Sequence, residues 1–198
     1  MRRNIRERIC IAVIFCLALT PAAFVAAASP AGKQDPQAGD KKVAADFEGR
    51  VKEYVKLREG LETKLPKLSK DSNPEQIEAH KKLFQEIVRA GRAGAKHGDI
   101  FTEAAAALIR SIIKDEFKGR DRAELRKTVL VESEVKGVPL RINYPYPESQ
   151  ELLEMPPTLL LKLPQLPKQI RYRFVGRNML LVDRENGLIL DYMLDAVP

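Results

Sequence analysis

Tryptophan is missing from this sequence, histidine occurs only twice, and the only two cysteines are Cys10 and Cys16. The chain has no glycine-rich phosphate loop and no Gly-x-Ser-x-Gly elbow around Ser69, Ser72, Ser111, Ser133 or Ser149. Acyl-transfer and nucleotide chemistry therefore have no recognisable footing here. His80 and His97 are seventeen residues apart. On one helix that spacing is about 25 Å at about 1.5 Å per residue, too far to share a metal. His97, Asp99 and a more distant Glu103 fall short of the three or four convergent ligands that a zinc site needs, and they also read as a helix end. The carboxylate pairs Asp115-Glu116 and Glu132/Glu134 read as the wet face of amphipathic helices. No catalytic residue, metal or cofactor is expected. Without tryptophan or a recognition motif, nucleic acid is not expected as a partner.

Long apolar runs are also missing. The longest, Ile9 to Leu19, falls short of the roughly 20 residues of a membrane span. It follows Arg2, Arg3, Arg6 and Arg8, and it leads through Thr20-Pro21 to Ala26-Ala27-Ala28. A positive start, a short apolar middle and small-x-small residues make a secretory signal, so residues 1–28 are expected to be cleaved after Ala28. A retained anchor is the alternative. No cysteine follows the run, so a lipid anchor is not expected. The remainder would be periplasmic or secreted, with no stable membrane span.

Both cysteines fall within that signal. The rest of the chain therefore has neither disulfide nor thiolate and must fold by its core alone. The signal carries four arginines and one glutamate of a chain whose formal net charge is +7, so the remainder keeps a modest positive excess.

Residues 29–42 are small, polar and charged, and read as a flexible tether. Residues 43–135 read as helical. Phe47, Val51, Tyr54 or Val55, Leu61 and Leu65 recur at helical spacing up to Pro66. Asn73, Pro74 and Gln76 start a second helix that ends near His97-Gly98. Thr102 caps a third, Glu103 to about Lys118. Asp121 to Glu124 opens a fourth, running to about Glu134. Residues 136–198 combine a proline-rich connection with strands. Val138 to Tyr144 alternates as a short strand. Helical turns are expected at Gln150 to Glu154 and Pro157 to Leu163. Residues 171–175, 179–183 and 188–194 form a meander, with turns at Gly176 to Asn178 and Arg184 to Gly187. The fold class is α+β: a four-helix part followed by a small three- or four-stranded antiparallel sheet, packed as one unit.

Two surface features stand out. Arg110, Lys114 and Lys118 form a basic stripe on the third helix, and Arg89, Arg92 and Lys96 a looser one on the second. Either could meet an anionic surface, although a solvated face is the plainer reading. Tyr144-Pro145-Tyr146-Pro147 and Pro164-Gln165-Leu166-Pro167 could be presented to a partner in extended form; packing over the core is the commoner use of such segments.

The run Leu163 to Pro167, then Tyr172-Arg173-Phe174-Val175-Gly176-Arg177-Asn178, Leu181-Val182-Asp183 and Gly187-Leu188-Ile189-Leu190-Asp191, resembles the small β module of RcnB/CigR-type bacterial exported proteins. The likeness covers about the last thirty-five residues. It implies an exported protein connected with metal homeostasis or virulence control and without catalysis. The helical part lacks that family's His- and Gly-rich regions. The whole chain also resembles bacterial exported proteins more generally.

The expectation is thus an exported, non-enzymatic interaction or structural protein of the bacterial envelope, its partner an unknown protein or an anionic envelope component. One alternative is a binder of lipid head groups or acidic polysaccharide through the basic helix faces. The other is an unrecognised hydrolase.

Overall fold

A computed structural model of the chain describes residues 36–118, 139–147 and 153–197. Three long helices come first: α1 (Pro36–Glu62), α2 (Pro74–Gly91) and α3 (Glu103–Glu116). They are followed by β1 (Leu153–Glu154), the short α4 (Pro157–Leu160), β2 (Ile170–Val175), β3 (Asn178–Asp183) and β4 (Ile189–Met193). The sheet is antiparallel in the order β1-β2-β3-β4. The fold class is α+β, as the hydrophobic periods imply.

The helix starts follow their local chemistry. Asn73 Oδ1 accepts from the Gln76 amide at 2.8 Å, and Gln76 Oε1 accepts from the Asn73 amide at 2.9 Å. This reciprocal box satisfies two amides that an open helix end leaves free. Thr102 Oγ1 accepts from the Ala105 amide at 3.3 Å.

Several boundaries differ from the sequence pattern. Residues 36–42, expected as tether, are helical. Their alanine and lysine favour helix, and Pro36 stands first, where a missing amide hydrogen is no loss. The second helix stops at Gly91, short of His97. Gly98 has φ 86 inside a loop whose amides bond elsewhere. Residues 139–144 make no regular strand: Asn143 has φ 64, and the segment meets β4 through the Pro145–Leu188 bridge. Leu153 and Glu154, expected in a helical turn, pair with Phe174 and Arg173 as the fourth strand. The expected helix at 121–134 lies outside the described residues.

Ile170, Tyr172 and Phe174 share one face of β2 with their β3 partners Asp183, Leu181 and Met179. The apolar members of this set bury against Phe47, Val51, Phe84, Val88, Ile109 and Ile113 of the helices. Phe47 lies between Phe101 and Tyr172, with ring centroids 5.5 and 6.3 Å away. The opposite sheet face is also buried: Val175, Leu180, Val182 and Ile189 gather around Tyr146, with Leu140 and Tyr192 beside them. Burial on both faces explains why β3 reads as a continuous apolar run and not as an alternation.

A bulge interrupts the β3–β4 ladder. Leu181 pairs with Asp191 and Val182 with Ile189, leaving Leu190 as the extra residue. Leu190 joins the inner core, and the Asp191 carboxylate binds the loop between α2 and α3. A bulge of this kind re-aims a side chain.

Candidate functional site

The inner face of the sheet carries two fully buried carboxylates, Asp183 and Asp191. An unpaired buried charge is strongly unfavourable, so each needs its own set of donors. Asp183 ends β3. It accepts from Tyr54 Oη at 2.6 Å and Arg58 Nε at 2.9 Å, both on α1. It also accepts from the backbone amides of Glu185 at 3.0 Å and Asn186 at 3.3 Å. Arg58 continues outward to Glu62 at 3.0 Å and to Glu185. Its guanidinium lies 5.0 Å from the Phe84 ring centre. Burial opposes the Arg58 charge, but Asp183, Glu185 and Glu62 together hold it above its ordinary range. Burial, then the Asp183 charge, pushes the Tyr54 phenol far upward, so it stays a donor.

Asp191 ties down the next stretch. Its oxygens accept from the amides of Gly98 at 3.0 Å, Ile100 at 2.9 Å, Phe101 at 2.8 Å and Tyr192 at 2.8 Å. The positive φ of Gly98 lets the loop turn its amides toward one point.

A third tie joins α2 to residues 139–147. Arg92 donates to Asn143 Oδ1 at 2.6 Å and to the Leu190 carbonyl at 3.2 Å, and Asn143 Nδ2 donates back to the Arg92 carbonyl at 2.9 Å. Burial lowers the Arg92 pKa. Arg89 and Arg141 both stack on Tyr144, 4.4 and 4.0 Å from its ring centre.

The basic stripe expected on the second helix is thus divided, since α2 ends at Gly91 and only Arg89 lies within it. Arg92 faces inward, Arg89 rests on Tyr144, and Lys96 is exposed. Arg110 and Lys114 on α3 are exposed, as is Lys118, which lies two residues past the helix end. Arg110 donates to the Leu194 carbonyl at 2.9 Å, and Lys118 pairs with Asp115 at 2.8 Å. Tyr146 is buried beneath the outer sheet face. Pro164 is buried and its carbonyl accepts from Tyr172 Oη at 3.1 Å; the Pro167 carbonyl accepts from the Ile170 amide at 3.0 Å. Tyr146 and Pro164 thus pack inward, while Gln165 is exposed. His97 lies on Tyr192, with ring centres 4.3 Å apart.

A cleft of about 440 Å³, lined by Arg58, Glu59, Glu62, Glu185, Lys168 and Arg184 among others, opens over the Asp183 region and shares residues with two more. The larger, about 570 Å³, is lined by Glu59, Glu62, Glu185, His80, Lys67 and Leu68, among others. The smaller, about 310 Å³, lies where α4 and the 164–168 segment meet β2, and includes Lys168, Arg171, Arg173 and Arg184. Among the described residues, no group of three or more His, Asp or Glu side chains could hold a metal ion. None of the described helices is long and apolar enough to cross a membrane.

No family model, curated protein or solved structure matches this chain. The reading of its function therefore rests on these residues.

Sequence reasoning missed Tyr54, Arg58, Asn143, Asp183 and Asp191 as a set. A signal was present. Aspartate is disfavoured in strands, yet Asp183 ends the run Met179-Leu180-Leu181-Val182 and Asp191 sits within Leu188 to Leu194. An acid embedded in an apolar strand marks a buried partner elsewhere.

Proposed function

We propose that this chain is an exported, non-enzymatic interaction protein of the bacterial envelope. One observation carries the reading: Asp183 and Asp191 each accept four bonds from this chain's own donors. Carboxylates filled in this way act as internal ties and not as bases. They hold helices and sheet as a rigid platform, and the working parts are then its surfaces. The segment that resembles the RcnB/CigR-type module coincides with β2 to β4 and its lead-in, in keeping with an exported protein of that kind.

Two measurements test this. Cell fractionation should recover the chain outside the cytoplasm, shortened after Ala28; intact chain in the cytosol overturns the compartment. Capture from envelope extracts should retain a specific partner, and failure to retain one at any salt concentration counts against the interaction role.

A second reading has its own support. Arg110 and Lys114 on α3 and Lys118 two residues past its end are exposed, a layout suited to anionic head groups or acidic polysaccharide. Co-sedimentation with anionic vesicles should fall when all three become Gln; unchanged binding removes this reading.

A further inference from the structure

In the smaller cleft several cations line an apolar floor. Met155, Leu160 and Leu166 supply apolar walls, while Lys168, Arg171, Arg173 and Arg184 supply the charge. Among the described residues no carboxylate lines it. Several other arginines have acceptors: Arg58 meets three carboxylates, Arg92 meets Asn143 and the Leu190 carbonyl, and Arg173, which also lines this groove, donates to the Tyr172 carbonyl at 3.1 Å. Arg171 differs. Its Nε is buried and has no hydrogen-bond partner. A guanidinium N–H without an acceptor inside the protein is unfavourable and uncommon, and Arg171 as a whole is only half-buried and lines the groove, so its guanidinium is suited to an acceptor seated there.

We propose that this groove docks an acidic, extended segment of a partner protein, with carboxylates on Arg171 and Arg184 and an apolar side chain against Leu160 and Leu166. The inference rests on the interaction reading above and names the chemistry of the partner. The guanidinium fork matches a carboxylate in two parallel bonds. The volume, about 310 Å³, lies at the small end of ligand-sized clefts and suits one or two side chains. A sugar polymer would want an open aromatic platform, but Tyr172, the aromatic residue of the lining, is buried. An acyl chain would want a longer apolar channel than three side chains provide.

The test is a titration of the purified protein with a capped pentapeptide alternating Glu and Leu. Its Gln-for-Glu counterpart and anionic phosphatidylglycerol vesicles are parallel arms. Saturable binding is expected, weakened at least tenfold by Arg171→Gln with Arg184→Gln and by the neutral peptide, and unchanged by Lys114→Gln. Leu160→Glu, a change at a half-exposed rim residue, should weaken it as well without touching the arginines. Equal binding of the neutral peptide, or binding indifferent to both groove variants, overturns the proposal. So does vesicle binding lost in those variants when the acidic peptide does not bind. A photo-crosslinker at Gln165 on the groove and another at Ser111 on α3 separate the two levels of the argument. Adducts at Gln165 are expected. Adducts at Ser111 alone sink the groove but leave an interaction protein, and none at either position counts against both.

Discussion

Asp183 shows how much one buried side chain can organise. Removing one partner of a buried ion pair leaves the other charge stranded, at about 3–5 kcal/mol. Arg58 keeps Glu62 and Glu185, but Tyr54 and the Glu185 and Asn186 amides lose their acceptor, so Asp183→Ala should lower the unfolding free energy by up to about that amount, read from the midpoint of urea denaturation. Arg58→Met combined with Asp183→Leu should be less damaging than the sum of the two single changes, because no charge is then stranded. Additive losses would show that the pair is not coupled. Asp191 makes a different prediction. Asp191→Asn keeps one acceptor oxygen and loses the other, so hydrogen exchange at the Gly98, Ile100 and Phe101 amides should speed up before global stability falls far. Uniform protection across that loop would contradict the role given to the carboxylate. These residues were hard to read in the sequence because their partners are distant in the chain. Arg58 and Asp183 are separated by 125 residues, and nothing local distinguishes a buried arginine from a solvated one.

Elements were more legible, for reasons that are local. The Asn73 box, the Thr102 cap and the three-strand meander lie within a few residues of the features that announce them, and the structure has all three. The failures occurred where tertiary contacts decide. Val138 to Tyr144 alternates like a strand, but Asn143 takes a positive φ and bonds Arg92, which turns the chain. Leu153-Glu154 is too short for any period to show. None of the clefts was visible beforehand, since each gathers residues from separated segments. One element-level prediction follows from α1. Gly49 lies mid-helix, and a Cβ there would meet nothing within 4 Å. Gly49→Ala should raise stability by about 0.5–1 kcal/mol, seen as a rise in Tm. A fall would mean that the helix is not continuous through that position.

For the whole molecule, pH dependence is the accessible readout. Glu116 on α3 pairs with Lys162, just beyond α4, and that bond holds the Glu116 carboxyl below its ordinary value of 4.5. A lowered native pKa means that the contribution is present above the unfolded value and disappears as pH falls through the native one. Glu116→Gln should thus lower Tm slightly near neutrality. The gap between variant and parent should close as pH drops below about 4.5, the carboxyl's ordinary value. A gap that persists at low pH would assign the effect to packing. The pair is partly solvated, so added salt should shrink the difference too.

The distance along the chain between the buried acids and their donors has a consequence for assembly. Synthesis delivers Tyr54 and Arg58 early, and the loop at Gly98 to Phe101 soon after, whereas the carboxylates that secure them arrive only with β3 and β4. Until then the helices have a greasy side without a floor and donors without acceptors. Closure must draw together points ninety or more residues apart, a slow, late and cooperative step. The nascent chain should therefore stay pliable and protease-sensitive almost to completion, then become resistant all at once.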